Sequence, residues 1–157
     1  MAMKQLDSVM VDYIAGHFGA DMTVSRDDRQ TVLVVAPHRI YELLERLKNE
    51  EPYKMDFLSN LTAAEYPDYM EMVYHLYSLE LEHSVTVKSR LAHDNPQAAS
   101  VTPLWPAADL QEREVFDMLG VNFSGHPNLS RILLPEGFDG HPLRKDYKLM
   151  ARSTEMR

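Results

Sequence analysis

Met70-Glu71-Met72-Val73-Tyr74-His75-Leu76-Tyr77-Ser78-Leu79 is followed by Glu80-Leu81-Glu82-His83 and then by Ser84-Val85-Thr86-Val87-Lys88-Ser89-Arg90-Leu91. Successive side chains of a strand point to opposite faces, so Met70, Met72, Tyr74 and Leu76 share one face of the first run. Val85, Val87 and Leu91 alternate with polar residues in the second run, and residues 80–83 supply the turn. The two runs predict an antiparallel hairpin with one apolar face that needs a cover.

The flanking sequence supplies both more strands and the cover. Met55 to Thr62 reads as a further strand, and Met22–Ser25 with Thr31–Val35 as two more, joined by the polar turn Arg26-Asp27-Asp28-Arg29. Leu6, Val9, Met10, Tyr13, Ile14, His17 and Phe18 recur at helical spacing, and Gly19 is placed to stop that helix. Ile40, Leu43, Leu44 and Leu47 form a second stripe, begun by Pro37 in the first turn and ended by Pro52. The expected architecture of residues 1–100 is therefore α+β, with two helices packed on one face of a mostly antiparallel sheet.

A third helix is expected after Thr102-Pro103-Leu104-Trp105-Pro106, running to about Leu119 with Gly120 closing it. Beyond it, Gly125, Gly137 and Gly140 alternate with Pro127, Pro135 and Pro142, and no helical or strand period persists. Residues 101–157 are thus read as a helix followed by an extended, irregular C-terminal tail, a segment that orders along a surface.

Composition narrows the chemistry. The 157 residues suit one domain with a tail, and the absence of cysteine removes disulfides, thiolate metal sites and cluster ligation by this chain. A net charge of −8 argues against a general nucleic-acid binder. Residues 131–157 carry six basic and four acidic side chains, whereas the preceding 130 carry ten and twenty, so a weakly basic tail follows an acidic body. No run approaches the length of a membrane span, and the N-terminus lacks the pattern of a signal peptide, so the cytosolic side is the expected compartment.

Two constellations stand out. In Glu112-Arg113-Glu114-Val115-Phe116-Asp117, Arg113 and Asp117 share one helix face, while Glu114 stacks with Leu110 and Met118 on an apolar stripe. A carboxylate on such a stripe needs a partner, for which Arg131 and Arg144 are candidates; the plainer reading is a solvated face with an ordinary ion pair. The second is a repeat: Gly125-His126-Pro127 returns as Gly140-His141-Pro142, followed by Leu129 and Arg131, then by Leu143 and Arg144. Glycine and proline fix the turns, and each histidine can knit its turn to a neighbour. A small metal-dependent hydrolase using His126, His141 and Glu112 or Glu114 is the alternative from another class, although the spacing is not that of a helix-borne zinc pair. Glu112 and Glu114 point to different faces and are poorly placed as an acid/base pair.

The run Glu112-Arg113-Glu114-Val115-Phe116-Asp117-Met118-Leu119-Gly120-Val121, then Phe123-Ser124-Gly125-His126-Pro127-Asn128-Leu129, Arg131-Ile132-Leu133-Leu134-Pro135 and Gly140-His141-Pro142-Leu143-Arg144-Lys145-Asp146-Tyr147 closely resembles the signature of one family of respiratory complex I subunits. This is the thirty-kilodalton, or C-subunit, family, to which the chloroplast-type J subunit and relatives in membrane-bound hydrogenases also belong. The resemblance is dense over residues 105–148 and looser at Tyr66-Pro67 and Met72–Leu76. Asn128 and Ser130 stand where the family usually has aspartate and arginine, and Gly137-Phe138 replaces an acidic–aromatic pair.

The resemblance implies a docking subunit of a larger assembly, with no catalytic centre or cofactor of its own. It would sit peripherally on the cytoplasmic side of the membrane. Its expected partners are the hydrogenase-like (forty-nine-kilodalton) protein that lines the quinone cavity and other peripheral-arm subunits. The assembly as a whole would use NADH, FMN, iron–sulfur clusters and quinone; a hydrogenase or a ferredoxin- or deazaflavin-linked complex is the alternative parent. The motif residues implied for docking are Glu112, Arg113, Glu114, Asp117, Gly120, Gly125, His126, Pro127, Leu129, Arg131, Pro135, Gly140, His141, Pro142, Leu143, Arg144 and Asp146. Ile132, Leu133 and Leu134 are expected to serve with Leu129 as apolar anchors.

Overall fold

The structure, a computed structural model, describes residues 3–149. Its elements are β1 (Lys4–Gln5), α1 (Ser8–Phe18), β2 (Met22–Arg26), β3 (Thr31–Val35), α2 (Ile40–Asn49), β4 (Phe57–Glu65), β5 (Tyr69–Ser78), β6 (His83–Ala92), β7 (Gln97–Ala99), α3 (Ala108–Leu119) and β8 (Asn122–Ser124). The main sheet has the order β2-β3-β6-β5-β4, with β1 added beside β6. The β2–β3, β4–β5 and β5–β6 pairs are antiparallel, and β3–β6 and β1–β6 are parallel. The expected α+β class with a mostly antiparallel sheet is borne out, and the parallel pairing makes the sheet mixed.

Alternation explains which face is covered. Leu33, Val87, Tyr74 and Leu61 stand in register across β3, β6, β5 and β4, and all four are buried. Their neighbours in phase, Met70, Met72, Leu76 and Val85, are buried too. Ile14 and Phe18 of α1, Leu43, Leu44 and Leu47 of α2, and Val115 and Leu119 of α3 join them in one cluster. That cluster runs from Leu6 to Phe123, so α3 shares the core of the sheet.

Helix α1 departs from its expected stripe. Val11, Ile14 and Phe18 face the core, whereas Val9 and Tyr13 are exposed, 75% and 69%. At 100° per residue the seven positions read as one stripe span two faces, and only one of them meets the sheet. A second departure is the small parallel sheet of β7 and β8, where the sequence suggests only loop. Three residues each are too few to show a period, but their pairing closes a crossover with α3 as the connection.

Two contacts fasten the sheet to its connections. Trp105 donates its indole N–H to the carbonyl of Met55 (3.1 Å), and His83 Nε2 lies 2.6 Å from the carbonyl of Tyr53. Leu44 is fully buried beneath α2. Truncating it as Leu44→Ala should therefore lower unfolding stability by about 2–5 kcal/mol, because the fitted core closes only partly around the cavity. Urea unfolding followed by the fluorescence of Trp105, the one tryptophan, measures this.

Candidate docking site

Helix α3 is buried on two sides. Ala108, Glu112, Val115 and Leu119, spaced i, i+4, i+7, i+11, face the sheet, and Asp117 on another side is also fully buried. What covers Asp117 is the tail. Its Oδ2 accepts the backbone N–H groups of Ile132 (3.1 Å), Leu133 (2.8 Å) and Leu134 (3.0 Å), and its Oδ1 accepts from Arg131 (2.7 Å). Burial alone would raise this carboxyl, but the Arg131 guanidinium and the three backbone N–H groups outweigh it and hold the group below the usual aspartate range.

Arg131 spans both sides of the contact. Beyond Asp117 it donates to the carbonyls of Phe138 (2.7 Å) and Gly140 (2.9 Å), folding the tail back on itself. Arg113, one turn before Asp117, donates to the carbonyls of Ser130 and Arg131 and to the Ser130 hydroxyl, all at 3.1 Å. Ser130 thus accepts from Arg113 through both its carbonyl and its hydroxyl.

The two Gly-His-Pro copies grip opposite ends of the same helix. His126 accepts the N–H of Asn128 on Nδ1 (3.0 Å), so its proton sits on Nε2, which donates to the carbonyl of Asp109 (3.2 Å) in the first turn. His141 directs Nδ1 to the carbonyl of Asp117 (3.0 Å), and the N–H of Leu143 donates to the carbonyl of Met118 (3.0 Å). The last carbonyls of any α-helix lack intrahelical donors, and here the tail provides them. Gly120, at φ 75°, is required at this contact: a β-carbon there would stand 2.7 Å from the His141 ring. Gly140, at φ 88°, is required likewise, because a β-carbon would meet Tyr147 at 2.8 Å. Asp109 and Asp117 are eight residues apart, about 12 Å along a helix, so the two histidines that a metal-dependent hydrolase would have to bring together are held apart. Among the described residues no group of three histidine, aspartate or glutamate side chains could hold a metal.

Glu114 is corrected by the structure. It is exposed and has no ion pair or hydrogen bond among the described residues; Arg131 pairs with Asp117, and Arg144 lies by Glu65. The stripe that includes it is anchored on Leu110, which is 57% exposed, while the smaller Ala108 and Val115 mark the buried side. The buried glutamate is Glu112, wholly inaccessible, which accepts from the Val101 N–H (2.7 Å) and the Ser100 hydroxyl (2.7 Å). Burial raises its carboxyl above the usual range despite these bonds and the nearby His126.

The residues missed in the sequence are Glu65 and His93. Glu65 closes β4, receives the N–H of Lys145 (2.6 Å), and lies 2.9 Å from His93 Nε2 and 3.5 Å from Arg144 Nε. Arg144 also donates to the carbonyl of His93 (3.0 Å). A signal exists: Glu65 stands opposite Met70, in phase with the apolar face of its strand. Burial raises the Glu65 carboxyl, but Lys145, His93 and Arg144 together bring it below its ordinary value. Of the other motif positions, Leu129 packs partly into the core, Pro127, Pro135 and Asp146 lie on the surface, and Ile132, Leu133 and Leu143 are exposed. Leu134 is half-buried, so it anchors less freely than its two neighbours.

Fold and clamp together define a small α+β subunit whose last helix carries an extended tail along one side and across its end. The chain belongs to the respiratory-chain NADH dehydrogenase 30 kDa subunit family, whose profile matches residues 33–153, and the resemblance read from the sequence is borne out. It is 44% identical over 137 residues to the C subunit of NADH-quinone oxidoreductase from Moorella thermoacetica, covering 86% of this chain and 91% of that one. To the corresponding C subunit of Roseiflexus castenholzii it is 38% identical over 157 residues, covering 97% and 85%. Among solved structures it resembles a chain of the membrane-bound sulfane sulfur reductase, an archaeal respiratory membrane complex, with TM-score 0.74, 26% identity and coverage of 90% and 85%. The trypsin-resistant fragment of Nqo5 shares the fold, with TM-score 0.64, 23% identity and coverage of 76% and 98%.

The two buried acids should titrate with opposite consequences. Asp117 is depressed, so its stabilisation is present above the unfolded value and is lost as pH falls through the folded one. The amides of Ile132, Leu133 and Leu134 should be protected from hydrogen exchange at neutral pH and lose protection in acid. Asp117→Asn should remove much of that protection at every pH, since an amide cannot accept from both Arg131 and the backbone. Glu112 is raised, so its protonated form suits the fold and stability falls as pH rises from the ordinary glutamate range through the raised value. Glu112→Gln should melt higher than the parent at neutral pH and converge with it at about pH 4, as a melting series across that range would record.

Proposed function

We propose that the chain is a peripheral subunit of an NADH:quinone oxidoreductase-type assembly, without a redox centre of its own, and that it docks through α3 and the clamped tail on the hydrogenase-like subunit that lines the quinone cavity. The observation that carries this reading is the division of labour in the tail. Its backbone is spent on α3, while Leu133 and Leu143 stand 61% exposed and Ile132 is exposed beside them. A segment already fixed in one conformation loses little entropy when a partner covers it. Glu114, Met118 and Leu143 border a shallow groove between α3 and β4 that extends the same surface.

The names of the relatives support the parent assembly, and any iron–sulfur clusters would be held by neighbouring subunits, a reading supported by the lack of cysteine thiolates in this chain. NADH, FMN and quinone would likewise be bound elsewhere, and the chain would lie on the cytoplasmic side of the membrane. Among the described residues no helix is long and apolar enough to cross a membrane. The likeness to a sulfane sulfur reductase complex favours one second reading, an equivalent subunit in a complex with another donor, such as a membrane-bound hydrogenase or a ferredoxin-linked complex.

The test is co-purification of the tagged chain from gently solubilised host membranes, with mass spectrometry of what accompanies it. The hydrogenase-like subunit is expected together with iron–sulfur and membrane subunits, and the donor-side subunit would name the complex. Leu133→Asp with Leu143→Asp should leave the melting temperature within a degree or two, because both side chains are exposed. The same pair should cut recovery of the hydrogenase-like subunit about tenfold or more. Glu114→Ala should also weaken assembly more than it weakens folding. Recovery of the chain alone would overturn the docking reading.

A further inference from the structure

The end of the sheet remote from the tail carries a feature that the docking of α3 does not use. The tail is fastened where β4 ends and β5 begins, at Glu65 and His93. β5 then runs ten residues to Ser78, which at strand rise is about 30 Å away. At that far end Tyr53 ties three segments together: its hydroxyl donates to the carbonyl of Met10 (2.9 Å), and its own carbonyl lies against His83. Between α1 and the segment after α2 lies a groove of about 480 Å³ lined by Val9, Met10, Tyr13, Glu50, Pro52 and Tyr53. Val9 and Tyr13, one turn apart, are the most exposed apolar side chains of α1, and the position of Gly16 one turn further has open space beyond it.

The surroundings are acidic. Asp7 and Asp12 flank the outward side of α1, Glu50 and Glu51 form the opposite lip, and Glu80 and Glu82 stand in the neighbouring turn with the exposed Leu79 and Leu81. Two of the cations at this end are already engaged, Lys54 by Glu51 (2.7 Å) and Glu80 (3.4 Å), and Arg46 by Glu50 (2.6 Å) and Glu42 (3.4 Å). The exposed Lys4, beside Glu82, makes no ion pair among the described residues. Burial, followed by the negative charge of Glu50 and the proximity of Tyr13 and Asp7, pushes the Tyr53 hydroxyl up to about 12.

We propose that this groove is a second docking site, which receives a basic amphipathic segment from another subunit of the assembly. An apolar anchor would fill the space between Val9, Tyr13 and Pro52 while flanking lysines or arginines meet the acidic lips. Charge excludes the other common occupants. A second copy meeting this groove with its own would set acid against acid, and anionic lipid headgroups or a nucleic acid would be repelled in the same way. The site is independent of which neighbour covers α3. It makes the chain a spacer that holds two neighbours at opposite ends of one sheet.

The experiment is site-specific photo-cross-linking in the intact assembly, with Tyr13→p-benzoylphenylalanine; at 69% exposure the change leaves folding undisturbed, which an unchanged melting curve verifies. Irradiation should yield one dominant adduct whose partner peptide belongs to a different subunit and carries net positive charge with apolar residues at helical spacing. Asp12→Lys, which breaks no bond among the described residues, and Glu50→Lys with Glu51→Lys should each reduce that adduct about tenfold. An adduct to a second copy, to lipid, or to an acidic or uncharged peptide would overturn the proposal. So would no adduct while the hydrogenase-like subunit still co-purifies, or a basic-peptide adduct indifferent to the charge reversals.

Discussion

A helix that ends beneath other chain leaves four carbonyls without donors, and a buried carboxylate near that end leaves a charge without a counterion. Both demands meet at Asp117. Its side chain takes three consecutive backbone N–H groups and a guanidinium, and its carbonyl is met by Arg131 and by His141. The tail has no periodic apolar face with which to enter a core, so hydrogen bonds to α3 hold it instead. An ionised acceptor strengthens such bonds roughly twofold over neutral ones, which is why a single aspartate can organise an irregular segment. The glycines at 120 and 140 follow from this contact, since each lets a ring approach the backbone where a β-carbon would collide.

The second clamp works on the same principle from the sheet. Glu65 ends β4 facing inward, and Arg144 and the Lys145 N–H come to it from the tail. The tail is thus tied to the helix by Asp117 and to the sheet by Glu65, with the two histidines of the repeated tripeptide marking the two ends of α3. Glu112 is a different kind of buried acid. It accepts from donors of the segment just before α3, which positions that segment, and it also lies 3.9 Å from His126 of the tail.

Much of this is legible in the sequence. Period-two alternation marks the long strands after the first helix, and helical stripes mark all three helices within a few residues. The family is readable from the dense motif over residues 105–148. What escapes lies where short-range pattern carries no information. Residues 97–99 and 122–124 form strands only because each finds the other across a crossover. Glu114 reads as buried because Leu110 and Met118 flank it at helical spacing, yet the helix turns that side outward and buries Ala108 instead. In α1 the same ambiguity merges an inward face with an outward one. Glu65 can be found by asking which strand residue breaks the apolar phase. Its partner eighty positions downstream, Lys145, cannot.

Many of the bonds that fasten the tail are made to its peptide groups: carbonyls of residues 130 and 131 accept from Arg113, and N–H groups of residues 132, 133, 134, 143 and 145 donate to the body. Peptide groups are the same in every residue but proline. Apart from the side chains of His126, Arg131, His141 and Arg144, the body therefore grips the tail by its backbone, and the outward-facing positions are free to drift or to be selected for a new neighbour. A lineage could refit this subunit to a different complex by changing the side chains at a few tail positions while the attachment beneath them stays intact. The same property makes the outward positions between 132 and 143 a natural place to graft a chosen contact surface.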